Sequence, residues 1–138
     1  MPMTFERENA KPVVNVSETQ LLRGLAQLKG LSGCRFASLN REDGSYVQVG
    51  GGGMTCALEW RDAIDRQFRA FQDSPVAPWP GVTELHISGG FVRLRQAEFF
   101  HIGQVRDAFL AFFRHEPFRE YIRWRDITDE ITSAGTSA

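Results

Sequence analysis

The 138 residues carry 16 basic and 17 acidic side chains, a formal net charge of −1, with 42% hydrophobic and 24% charged residues. A chain of this size favours one domain around one core. The near-neutral balance removes the bulk attraction that non-specific binding to nucleic acid or anionic membrane requires, and no apolar stretch approaches the ~20 residues of a membrane span.

Residues 1 to 12, MPMTFERENAKP, read as a flexible arm or short edge segment. They mix charges of both signs and lack the apolar run of a signal peptide, so a cytoplasmic location is expected. One domain is expected over residues 13–131, with TSAGTSA at 132–138 as a disordered tail. Ser17 as N-cap, Gln20 three residues on and Val16 against Leu21 form a capping box with a hydrophobic staple. Leu21, Leu22, Leu25 and Leu28 follow at helical spacing, which predicts a helix over about 18–29 ended by Gly30. Cys34 to Leu39 reads as a strand, and Asp43-Gly44 as the tip of a turn.

The stretch YVQVGGGGMTCALEW, Tyr46 to Trp60, reads as two strands joined by a four-glycine reversal. Met54, Cys56, Leu58 and Trp60 alternate with Thr55, Ala57 and Glu59. Ile64, Phe68 and Phe71 fit a helical stripe, but a strand over about 66–72 is favoured because the sheet needs another member. Ser74 to Gly81, SPVAPWPG, is a loop. Its Trp79 is either a plug in the core or an exposed contact. Val82 to Ile87 and Phe91 to Ala97 form a strand pair, with Val92 and Leu94 facing inward. A second helix is predicted from about Ile102 to His115, stopped by Pro117, with a short extended segment over Tyr121 to Ile127. The expected fold is α+β: an antiparallel meander of about five to six strands with the N-terminal and C-terminal helices packed on one face.

No residue set carries recognisable chemistry. The glycine run lacks the lysine and Ser/Thr of a phosphate loop and does not open a helix. His86, His101 and His115 have no second ligand at metal-binding spacing. His101 suits a helix cap and His115 a helix C-terminus. Convergence of His86, Glu84 and Arg93 as an acid-base set is not selected by any spacing. Neither cofactor nor metal is expected. Cys34 and Cys56 either face one another across the sheet or stay buried as thiols in a reduced compartment, and the second reading is favoured. One charge bias stands out. Glu42, Asp43, Glu59, Asp62, Asp65 and Asp73 face only Arg61, Arg66 and Arg69 between residues 42 and 73, which reads as a solvated face or a patch for a basic partner.

The C-terminal third, VRLRQAEFFHIGQVRDAFLAFF followed by a proline and YIRWRDIT, resembles the end of the small immunity proteins that neutralise bacterial polymorphic and contact-delivered toxins, including inhibitors of deaminase toxins. Phe112-Phe113, Pro117, Trp124 and Asp126 carry the likeness, and the order of upstream elements, including Glu59-Trp60 in the third strand of the meander, is similar over about residues 16–128. The resemblance implies a protein of interbacterial competition, as in type VI secretion. It would act by binding rather than catalysis, docking on a cognate toxin, such as one that modifies nucleic acid or nucleotides, and occluding its active site. It implies no direct contact with nucleic acid or membrane. On this reading Glu42, Asp43, Glu59, Asp62, Asp65 and Trp79 supply the toxin contacts. The alternative is a small-molecule-binding or enzymatic domain with an internal pocket.

Overall fold

Ser17 opens the first helix as the sequence predicts: its hydroxyl accepts from the Gln20 N–H at 3.1 Å, and the Gln20 side chain accepts from the Ser17 N–H at 2.9 Å. In the computed structural model, which describes residues 2–28, 35–52, 55–73, 82–87 and 90–130, this cap leads into α1, Glu18–Leu25. The helix ends four residues before the predicted limit, while Gly30 and Cys34 lie outside the described residues. The strands are β1 Thr4–Arg7, β2 Val13–Val14, β3 Phe36–Asn40, β4 Tyr46–Gly52, β5 Thr55–Arg61, β6 Gln67–Phe71, β7 Val82–Ile87, β8 Gly90–Arg95 and β9 Arg123–Asp126. A 3₁₀ turn, Gln96–Glu98, precedes α2, Ile102–Phe113.

Seven strands form one antiparallel sheet in the order β2-β1-β3-β4-β5-β6-β9, and β7 pairs only with β8 in a separate hairpin. The class is α+β as expected, but the sheet is wider than five to six strands. The extra members come from the chain's two ends. Within the segment expected as a flexible arm or short edge, Thr4–Arg7 form β1, which lies inside the sheet with Phe5 opposite Leu39 and only 1% exposed. Four residues flanked by charges are too few to display a period, which hides this strand in the sequence. β9 closes the other edge, Trp124 opposite Ala70.

The glycine run also differs from expectation. Gly50, Gly51 and Gly52 are strand residues opposite Ala57, Cys56 and Thr55, and Gly53 lies outside the described residues. Gly51 has φ +93°, a conformation that side-chain-bearing residues seldom adopt.

Register sorts the sheet into two faces. Phe5, Leu39, Val47, Val49, Leu58 and Ala70 belong to one buried cluster, which also contains Leu21 and Leu25 of α1 and Val105, Ala108, Phe109 and Phe112 of α2. A Cβ on Gly24 would overlap the Phe5 ring, so glycine inside α1 permits close approach to β1. His101 caps α2 as predicted, its Nδ1 accepting from the Gln104 N–H at 3.3 Å. At the other end α2 stops two residues short of His115. The Glu116 N–H reaches the Ala111 carbonyl at 2.9 Å and the His115 N–H reaches Phe112 at 3.3 Å. This is a Schellman closure with His115 at φ +57°, where glycine is usual. No helix among the described residues is long and apolar enough to cross a membrane.

Candidate functional site

The second face of the sheet is polar and internally bonded. Cross-strand register places Glu6, Ser38, Gln48, Glu59, Arg69 and Arg125 in one row over six strands. Glu59, in the middle of β5, is 2% exposed, with Gln67 at 2% and Arg69 at 8%. Its Oε1 accepts from Gln48 Nε2 at 2.9 Å and Gln67 Nε2 at 3.1 Å. Its Oε2 accepts from Arg69 Nε at 3.0 Å and Nη2 at 2.9 Å. Four donors surround one carboxylate, so both buried charges are matched and the flanking amides are held in one orientation. Gln67 Oε1 in turn accepts from the Tyr46 hydroxyl at 3.2 Å. At the end of the row, Arg125 donates to Glu98 at 3.0 Å and to Glu130 at 3.1 Å.

Beside this network the face dips into a concavity of about 350 Å³ lined by Glu6, Ser38, Asn40, Tyr46 and Arg61 together with Gln48 and Gln67. The lining consists of hydroxyls, amides, one carboxylate and one guanidinium. Such a set can exchange hydrogen bonds with a polar surface. It offers no nucleophile paired with a base, and among the described residues no three His, Cys, Asp or Glu side chains are grouped as metal ligands.

The acidic residues read as toxin contacts do not form one exposed patch. Glu59 is interior to the network above. Asp43 organises the β3–β4 turn: its Oδ1 accepts from the Ser45 N–H at 2.8 Å and from the Ser45 hydroxyl. Hydrogen bonds from the Ser45 side chain and then its backbone hold the Asp43 carboxyl below its ordinary value. Asp62 does the same for the β5–β6 turn, accepting from the Ile64 N–H at 3.1 Å, the Arg66 N–H at 2.9 Å and Arg66 Nε at 2.7 Å. Burial acts to raise the Asp62 carboxyl, but the bonds from Arg66 and Ile64 outweigh it and keep the group low. Glu42 and Asp65 are exposed, Asp65 at φ +66° with Arg61 Nε 3.4 Å away. Trp79 lies outside the described residues. The Asp43-Gly44-Ser45 spacing was the available signal for a turn role, since aspartate commonly bonds its own backbone two residues on.

Sequence reasoning passed over Gln48, Tyr46, Arg61 and Gln67. Their signal was the alternation of Gln48 between Val47 and Val49, which places an amide on the face opposite the core. The remaining candidates separate. His101 and His115 occupy the two ends of α2, and Glu84 lies opposite Arg93 in the β7–β8 register, with His86 opposite Phe91. Cys56 is buried, and burial pushes its thiol up to about 12, which makes it a poor nucleophile at neutral pH. In comparisons with known proteins, no family model and no curated protein matches the chain.

Proposed function

We propose that this chain is an immunity protein, a stoichiometric cytoplasmic inhibitor that docks on a cognate bacterial toxin and occludes its active site, acting by binding rather than catalysis. We place the docking surface on the polar sheet face around Tyr46, Gln48 and Arg61 instead of on a continuous acidic patch. The observation that supports this is the Glu59 network. It fixes Gln48, Gln67 and Arg69 before any partner arrives, so little side-chain entropy is lost when a partner replaces water on their neighbours. Arg61 and Tyr46 are residue types that anchor protein interfaces, and a complex of ordinary size would bury about 1,200–2,000 Å² in total. Beside the network Tyr46, Gln48 and Arg61 keep partial exposure, which supports placing recognition on this face.

The test is co-purification of the tagged chain with the product of the adjacent open reading frame. A one-to-one complex with a protein that is lethal alone is expected, and Arg61→Glu combined with Glu6→Lys, two changes in the lining of the concavity and outside the Glu59 network, should abolish it while leaving the fold intact. A complex indifferent to that pair of changes would move the interface elsewhere. If the chain returns alone with a small molecule retained in native mass spectrometry, the inhibitor reading is wrong. Glu59→Lys is unsuitable here, because it would report folding.

A further inference from the structure

A second concavity, of about 410 Å³, is lined by Arg41, Trp60, Phe112, His115, Pro117 and Phe118, with Glu116. Arg41 is partly buried and is held in place: its Cζ lies 3.8 Å from the centre of the Phe112 ring and its Nη2 donates to the Phe112 carbonyl at 2.6 Å. That bond caps α2 and places a cation at the helix's negative end. It uses one of five N–H groups. The Arg41 Nε is buried with no hydrogen-bond partner, and among the described residues no carboxylate lies within 4 Å of the guanidinium. Arg35, Arg69 and Arg125, also partly or fully buried, have carboxylates at 2.6, 2.9 and 3.0 Å. Burial pulls the Arg41 guanidinium below its ordinary value, offset in part by Asp43, whose carboxylate is already engaged by Ser45. An unmatched, partly desolvated cation is costly unless an anion completes it.

The walls define the rest of the ligand. Trp60 and Phe118 are half-buried and meet edge to face, ring centres 5.3 Å apart at 65°; Trp60 also stacks on Phe68 at 4.9 Å. These rings are braced and still present apolar surface to the opening. We propose that this concavity is a binding site for an organic monocarboxylate with a flat apolar body, the carboxylate bonded to Arg41 and the body lying against Trp60 and Phe118. One guanidinium suits a single negative charge, and Glu116 in the lining opposes a second, which disfavours phosphate. The site is separate from the polar sheet face and does not depend on the docking proposed there.

The test uses the full chain labelled with ¹⁵N and titrated with 3-phenylpropanoate, with neutral 3-phenylpropanamide as control. Saturable shifts are expected at the Trp60 indole and at the amides of residues 112–118. Binding of the amide, or of the acid to Arg41→Gln, should be weaker by about tenfold or more, the loss of one charge-assisted contact. Glu116→Gln should tighten binding of the acid. Shifts that are absent or scattered, or acid and amide binding equally, would overturn the proposal. Should Arg41→Gln fail to fold, the acid-against-amide comparison in the unaltered protein decides the matter, and Arg41→Lys, which retains charge without the planar fork, should bind with reduced affinity.

Discussion

The two faces of the seven-stranded sheet are stabilised by different physics. The core face, Phe5, Leu39, Val47, Val49 and Leu58 with the helices' Leu21, Leu25 and Phe109, gains free energy by removing apolar surface from water, in proportion to area and with little regard to direction. The polar face gains specificity from one carboxylate and its four donors, where each bond depends on distance and angle. The first tolerates change in proportion to volume lost. The second fails when any one partner is removed, because the others are left buried and unmatched. The difference teaches that charge counting does not by itself mark a surface: an acidic residue set in a sheet, as Glu59 is, can be internal structure.

The largest effects should come from Phe109→Ala and Glu59→Ala. Phe109 is 0% exposed, so truncation should cost about 3–5 kcal/mol in chemical denaturation. Glu59→Ala leaves the Arg69 guanidinium and two amides without an acceptor and should cost a similar 3–5 kcal/mol or so. The comparison is sharpened by the double change Glu59→Met with Arg69→Met, which should recover the part of the loss that comes from the unmatched Arg69 charge, whereas no second substitution beside Phe109→Ala that leaves the cavity empty should recover any. If Glu59→Ala costs no more than a surface substitution, the network is ornament and the contrast between faces collapses.

The pH dependence comes next. Asp43, Asp62 and Asp126 all have carboxyls held below the ordinary value of 3.8, Asp126 by the Thr128 hydroxyl and then the Thr128 N–H. A carboxyl lowered on folding adds stability that is complete above its unfolded value and is lost as pH falls through the lower folded value. The unfolding midpoint should therefore drop as pH falls below 3.8, and replacing the three by Asn should flatten that slope while leaving the core face's contribution unchanged. A slope identical in the triple variant would remove these turns from the acid response.

The smallest effect is expected at the Schellman closure. His115 pays a conformational cost at φ +57°, so His115→Gly should stabilise by about 0.5–1 kcal/mol. A loss of stability would mean that the His115 ring contributes packing beyond its place in the lining of the Arg41 concavity.

Local signals were fully readable from the chain. The Ser17 and His101 caps, the presence of α1 and α2, and the alternation through Leu58 and Trp60 follow from neighbours within four residues, where propensity and hydrogen bonding act, whereas Gln67–Phe71 reads as a strand only because the sheet needs another member. Pairing of strands adjacent in the chain was readable, as in β4–β5 and β7–β8, but partner choice between distant strands was not. That β1 sits between β2 and β3, that β9 completes the far edge, and that β7–β8 stands apart are decided by long-range pairing, which leaves no periodic mark in four-residue strands. The same limit applies to side chains. Glu59, Asp43 and Asp62 all read in sequence as acidic members of one charge-biased stretch, residues 42–73. Register brings Gln48, Gln67 and Arg69 around the first, whereas turn N–H groups two and four residues on bond the other two. The sequence by itself determined where helices cap and which positions are apolar, because those are properties of adjacent residues. The tertiary structure decided which charges meet across the sheet, as Glu59 meets Arg69 and Glu8 meets Arg35, because a hydrogen bond needs its donor within about 3 Å, a distance set here by the pairing of strands.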